Sequence, residues 1–141
     1  MPEQTIFDLI HTIEKVTYKM LVHWRESSDI DLGITHILVL HELQSRGECR
    51  PSDLAKFLHL TPASLTHLST KLVKMDLITR TKDEADRRTT YWTITKQGKE
   101  LLQKAQQDGQ ELHTQFFSHL SPEEQKSLLQ IYQKLDRALG E

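Results

Sequence analysis

The chain predicts a mainly α-helical fold carrying one small β-hairpin, and three observations predict it. Long stretches place apolar residues at spacings of three and four, the period of a helix with one buried face. Residues 77–95 hold two runs rich in β-branched and aromatic residues around a charged loop, Asp83 to Arg88, which is a hairpin pattern. Just before them, two short helical segments separated by a turn of about three residues join a preceding helix into a trihelical unit.

Residues 5–26 read as an amphipathic helix, with Ile6, Ile10, Ile13, Thr17, Met20 and Trp24 on one stripe, and Asp29 to Gly33 breaks it. A second helix is expected over 34–45, with Ile37 and Leu40 inward and a stop at Gly47; Cys49 can add a very short third strand to the hairpin. Pro51-Ser-Asp53 suits a helix start, since proline is tolerated in the first turn and Ser or Asp can satisfy free amides. Leu54, Ala55 and Leu58 give that helix its inward face. His59 sits in the following turn and tolerates a left-handed backbone better than most residues, though less well than glycine. Thr61 is then an N-cap and Pro62 a first helical residue, and Leu65, Leu68, Leu72 and Met75 form the expected buried ridge of the next helix. After the hairpin, a long helix over 96–119 carries Leu101, Leu102, Ala105, Leu112 and Phe116 on one side, with a kink or close contact expected at Gly109. Ser121-Pro-Glu-Glu124 opens the last helix as a capping box, followed by Leu128, Ile131, Tyr132, Leu135 and Leu139.

The first helix and the last two carry apolar stripes that a small central domain cannot cover. A homodimer solves this, with Ile6, Ile10, Ile13, Leu112, Phe116, Leu128, Tyr132 and Leu135 at its interface. The predicted organisation is an N-terminal dimerisation helix over 1–32, a winged helix-turn-helix core over 33–98 with its wing at 77–95, and C-terminal dimerisation helices over 99–141.

At 141 residues this is one domain of ordinary size. The single cysteine excludes an internal disulfide and fits a reducing cytosol. No apolar run approaches the roughly 20 residues of a membrane span, and the N-terminal stretch has no signal-like block; a cytoplasmic protein without membrane contact is expected. Five glycines, no Gly-rich loop, no metal motif and no nucleophile setting argue against an enzyme and against a cofactor. The net charge of −2 conceals a segregation. Between Arg50 and Lys99 ten Lys and Arg face five Asp and Glu, a balance of +5, whereas the remaining eight basic and fifteen acidic residues give −7. A basic middle with acidic ends points to a central nucleic-acid surface.

With the leucines inward, the helix after Pro62 turns Ser64, Thr66, His67, Thr70, Lys71 and Lys74 outward. The first four are candidates for base edges or nearby phosphates in a major groove, and the lysines for phosphates. Arg80, Lys82, Arg87 and Arg88 add the wing's cations, and an acid two residues from Arg88, Asp86, can hold its guanidinium in a planar paired geometry. The implied partner is double-stranded DNA, and two-fold symmetry implies a pseudo-palindromic operator with half-sites about one turn (~10 bp) apart.

Asp83-x-x-Asp86-Arg87-Arg88, followed by Ile94-Thr95-x-x-Gly98, resembles the wing signature of the multiple-antibiotic-resistance regulator (MarR) family, whose pattern is roughly D-x-x-D-x-R, a strand, then L-T-x-x-G. The element order agrees with that family over essentially the whole chain. The resemblance implies a transcription regulator, most simply a ligand-relieved repressor. It further implies that Arg88 reaches into the minor groove and that Asp86 orients it. It also implies an effector pocket for a small aromatic or phenolic ligand, for which Tyr18, Trp24, His36 and His41 are wall candidates; the family often has Gln where this chain has His36. Some relatives sense zinc, but the eight histidines show no i, i+4 pair, so no metal site is expected. The peroxide-sensing branch keeps its cysteine in the first helix, where this chain has none, and Cys49 is expected to be a buried structural thiol. Two alternatives stay open: a winged helix that binds a protein partner, and a zinc-responsive regulator of the same fold.

Overall fold

The computed structural model describes residues 2–140. Its elements run α1 (Glu3–Ser27), α2 (Ile34–Arg46), α3 (Pro51–Phe57), α4 (Pro62–Lys74), β1 (Ile78–Lys82), β2 (Thr90–Ile94), α5 (Lys96–Phe117) and α6 (Pro122–Leu139). This is the mainly helical fold with one hairpin that the sequence predicts. The chain divides into two compact units, Met1–Gln107 and Asp108–Glu141. Met1 and Glu141, the outermost residues of the two expected dimerisation segments, lie outside the described residues.

In the first unit the core is assembled on α2. Its Val39, Leu40 and Leu43 are wholly buried, as are Leu54 of α3, Leu72 of α4 and Leu102 of α5. The hairpin joins this core through alternation. β1 and β2 pair antiparallel with Ile78 opposite Ile94 and Arg80 opposite Trp92, so Ile78, Arg80, Trp92 and Ile94 share one face. Ile78 and Trp92 are buried there. On the outer face Thr79 and Thr93 exchange a hydroxyl hydrogen bond of 2.7 Å. In place of a third strand, Cys49 makes a single antiparallel bridge to β2, its amide donating to the Trp92 carbonyl (3.1 Å) and its carbonyl accepting from the Trp92 amide (2.8 Å).

Two helix ends use the same device. After α3 the Leu60 amide reaches back to the Ala55 carbonyl and the His59 amide to Lys56; after α4 the Leu77 amide reaches Leu72 and the Asp76 amide Val73. Each is a Schellman closure, which needs a left-handed residue just past the cap. His59 (φ 53°) and Asp76 (φ 60°) fill those positions without being glycine. The closure at Asp76 also explains why β1 begins at Ile78 rather than Leu77: Leu77 is occupied in ending α4.

The helix start expected at Pro51 holds: Pro51 is the first residue of α3 and Arg50 its N-cap, with no side chain capping it. Two local expectations are corrected. The buried ridge of α4 is Leu65, Ser69 and Leu72, with Leu68 half-buried and Met75 37% exposed. From Leu65 the inward positions fall four and seven residues on, at 69 and 72, whereas Met75 is the C-cap where the chain already turns away. Finally, α5 is helical through Gly109 and ends at Phe117, ahead of the expected His119.

The start of α5 shows why the Thr95-x-x-Gly98 pattern is there. The Thr95 hydroxyl accepts from the Gly98 amide (3.0 Å) and donates to the Asp76 carbonyl (2.6 Å). A Cβ on Gly98 would lie 2.2 Å from the Leu77 carbonyl oxygen and 2.7 Å from Ile94 Cγ1. Only glycine lets α5 back onto the hairpin this closely. In the second unit α6 opens on the expected capping box: Ser121 Oγ accepts from the Glu124 amide (3.2 Å) and Glu124 Oε1 from the Ser121 amide (2.9 Å).

Neither α1 nor α6 contains a buried residue. On α1, Ile6, Ile10 and Ile13 are 45%, 52% and 47% exposed; on α6, Tyr132 and Leu135 are 56% and 52% exposed. Leu112, Phe116 and Leu128 are half-buried within the second unit.

Candidate nucleic-acid interface

The N-terminal turn of α4 is held by Thr61, whose hydroxyl accepts from the Ser64 amide (3.1 Å), with Pro62 as the first helical residue. Side chains facing away from the leucine ridge then line up as expected. Ser64, Thr66, His67, Thr70 and Lys74 are exposed, and Lys71 is half-buried.

Their hydroxyls are not idle. Thr61 donates to Ser64 Oγ (2.9 Å), Thr66 to the Pro62 carbonyl (2.9 Å) and Thr70 to the Thr66 carbonyl (3.1 Å). Threonines bonded back into their own helix keep acceptor lone pairs and a methyl for an incoming surface. Lys71 is held by Asp31, from the link between α1 and α2, with Nζ–Oδ2 at 3.3 Å. That exposed pair is worth about 0–1 kcal/mol and yields readily to a phosphate.

At the wing tip, Asp83 accepts from the Ala85 amide (2.8 Å) and from the Tyr91 hydroxyl (3.5 Å), and the Asp83 amide donates to the Thr89 carbonyl (2.9 Å). Asp86 accepts from the Arg88 amide (3.1 Å), the Thr89 hydroxyl (3.4 Å) and Arg88 Nε (3.4 Å). The two acids thus shape the loop as well as touching the arginine. Asp86 meets Arg88 through a single contact, at Nε. Arg88 stays 94% exposed, and Arg87 and Lys82 are exposed beside it. Arg80 is exposed as well and shares the strand face of Ile78 and Lys82, but its Nη2 is engaged, donating to Ser69 Oγ at 2.7 Å.

The four effector-wall candidates are spread over two helices. Tyr18 is 65% exposed and Trp24 half-buried on α1; on α2 His41 is exposed and His36 half-buried. His36 occupies the third position of α2, and its Nδ1 accepts from the Gly33 amide (3.2 Å) as the glutamate of a capping box would. Burial, then the charges of Lys71 and His67, lower its pKa, against Asp31, which raises it. The lowered pKa favours the neutral imidazole, the form in which Nδ1 can accept from the Gly33 amide. Cys49 is buried, and burial raises its thiol pKa, which fits the structural role expected of it. Among the described residues no three His, Cys, Asp or Glu lie together as a metal site, and no helix is long and apolar enough to cross a membrane.

Sequence reasoning missed the Ser69–Arg80 bond, the left-handed Asp76 and the Lys71–Asp31 pair. The first was detectable: Ser69 falls four residues after Leu65, and Arg80 shares the strand parity of Ile78. The pair with Asp31 joins residues distant in sequence and left no local signal.

Comparison with known proteins places this geometry. Residues 32–90 match the MarR family model. The chain is 28% identical to the uncharacterised HTH-type transcriptional regulator YxaD of Bacillus subtilis over 89% of its own length and 94% of that protein. It is 24% identical to the HTH-type transcriptional repressor MdtR of the same organism, covering 96% and 88% of the two chains. The fold superposes with a TM-score of 0.75 on a cysteine-to-serine mutant of Escherichia coli MarR solved in complex with operator DNA, at 24% identity and covering 93% of this chain and 95% of that one.

Proposed function

We propose that this chain, whose residues 32–90 match the MarR family model, is a MarR-family transcriptional regulator and acts as a homodimeric, ligand-relieved repressor of a pseudo-palindromic operator. The observation that carries this reading is the pairing of an outward polar and basic face on α4 with a wing whose Arg88 is almost fully exposed. Ser64, Thr66, His67 and Thr70 address the major groove. Lys71, Lys74 and Lys82 address phosphates, and Arg87 and Arg88 the adjacent backbone and minor groove. Asp86 sets the loop from which Arg88 projects.

The second copy is the proposed cover for the apolar faces of α1 and α6, whose isoleucines, Tyr132 and Leu135 have no cover within their own units. Residues 1–32 and 99–141 then serve dimerisation and 33–98 reading. Two reading cores on one two-fold axis require two half-sites about one helical turn (~10 bp) apart.

Relief of repression follows as a population shift: a ligand that binds better to a dimer with the wrong wing spacing lowers its affinity for DNA. A small aromatic or phenolic anion near Tyr18, Trp24, His36 and His41 is the ligand proposed for this role.

Passing a random duplex pool over the purified protein and sequencing what it retains tests the reading. A pseudo-palindrome with a steep salt dependence, log K falling by about 0.9 for each phosphate neutralised, is expected. No enrichment at low salt from protein shown by native mass spectrometry to be ligand-free would contradict it and favour a protein partner for the winged helix.

A further inference from the structure

Ser69 is the one polar side chain in the buried core among the described residues. It sits on α4 between Leu65 and Leu72, on the face turned away from the outward row. Its hydroxyl is used in both directions: it donates to the Thr66 carbonyl at 2.8 Å and accepts from Arg80 Nη2 at 2.7 Å. The Arg80 guanidinium also lies over the Trp92 ring, 5.6 Å from its centroid, within cation–π range. Trp92 is paired directly with Arg80 in the hairpin and is itself bonded to Cys49.

One guanidinium therefore joins the inner face of α4 to the strand from which the wing projects. A cation spent on phosphate would be expected on the outer row, with Lys74, or at the loop tip, with Arg88. Arg80 is exposed and on the same strand face as Lys82, but unlike Lys82 its guanidinium is bonded to Ser69 of α4, and that bond is charge-assisted, the stronger kind. We propose that Arg80 is a positioning residue: through Ser69 it sets the angle between α4 and the wing, so that both reach their grooves in one docking, and it does not itself read or neutralise DNA. The inference rests on the DNA-reading function proposed above.

The two roles leave different marks. A phosphate contact supports all sequences about equally and contributes to the salt dependence. A strut supports only the docking in which helix and wing engage together, so its loss erodes preference for the operator. Removing either end of a single bond should also cost about what removing both costs.

The test uses the full-length protein and the duplex that it selects from a random pool, with an unrelated duplex as reference. Arg80→Ala, Ser69→Ala and the double variant are compared, their folding checked by circular dichroism. Ser69→Ala is nearly isosteric and in a helix, so it keeps the test open should Arg80→Ala fold poorly. Each single change is expected to weaken binding to the selected duplex about tenfold, to leave the unrelated duplex and the salt slope unchanged, and to cost about as much as the double variant does. Arg80→Lys, which keeps the charge but not the planar fork, is expected to restore less than half of the lost preference. A salt slope lower by about one for Arg80→Ala, equal weakening on both duplexes, or a silent Ser69→Ala would overturn the assignment. Failure of the unmodified protein to select any duplex would be seen before any variant is made and would instead overturn the DNA-reading function.

Discussion

Helix α2, 13 residues long, buries Val39, Leu40 and Leu43 completely, whereas α6, 18 residues long, buries nothing and leaves Ile131, Tyr132 and Leu135 more than half exposed. Both are amphipathic, and both contain enough leucine to anchor a core. What separates them is the surface each has to hand. Around α2 stand α3, α4 and the hairpin, held close by two Schellman closures and by Gly98 against the Leu77 carbonyl. The reading core is thus complete within one chain. A helix of 18 residues with an uncovered apolar face is marginal in water unless packing supplies the rest, and α1 presents the same problem. Periodicity says that a helix has a buried face; it does not say which molecule buries it.

The largest expected effects probe the two regions in opposite ways. Leu40→Ala should cost about 2–5 kcal/mol in urea unfolding, with no dependence on protein concentration beyond that of the parent. Leu135→Asp should leave the core's near-ultraviolet spectrum intact yet raise the dimer dissociation constant by on the order of a hundredfold or more, as expected for a central apolar contact. Should Leu135→Asp leave the mass in solution unchanged, α6 has some other cover.

Within the reading core, Arg88→Ala should cost about 1–3 kcal/mol of binding to the selected duplex with the dimer intact, measured by fluorescence anisotropy. Asp86→Ala should weaken binding as well, even though it removes a charge that phosphates repel, since the loop loses three hydrogen bonds. Tighter binding by Asp86→Ala would show that the loop does not depend on it.

A smaller effect is expected at the turn between α3 and α4. His59 holds a left-handed backbone that costs about 1–2 kcal/mol outside glycine, so His59→Gly should raise the unfolding free energy by about 1 kcal/mol, part of the gain being lost to the freer unfolded chain. An unchanged or lower stability would mean that the histidine side chain repays its backbone.

The smallest concerns pH. The folded protein depresses the pKa of His36, so the unfolded chain binds its proton more tightly. The stability attached to neutral His36 is present above the ordinary value of 6.5 and is lost as pH falls through the folded value. The melting temperature should therefore drop as the pH falls from 6.5 towards the lower folded value. His36→Gln, which preserves the acceptor for the Gly33 amide, should shrink that drop. An equal drop in the variant would place the sensitivity on other histidines.

The elements themselves were readable because each carried a local cause. Thr61-Pro62 and Ser121-Pro122-Glu123-Glu124 cap where expected, Gly47 stops α2, and the runs on either side of Asp83 to Arg88 pair as a hairpin. The outward row of α4 was readable for the same reason, since the leucines leave it nowhere else to go. Met75 was misplaced because its spacing fits the ridge while the helix ends before it. Composition groups Arg80 with the wing's other cations and carries no sign of its bond to Ser69. The one-point contact of Arg88 with Asp86 depends on a turn closed by the Asp86 carbonyl and the Thr89 amide (3.0 Å), a detail that spacing alone does not specify.

The comparison between a self-sufficient reading core and uncovered flanking helices meets function in one number, the count of chains on a bound duplex. Analytical ultracentrifugation of the protein with the duplex it selects measures it directly. Two chains per duplex, with the free protein already a dimer at micromolar concentration, is the result predicted. One chain per duplex, or a free protein that stays monomeric, would contradict the account.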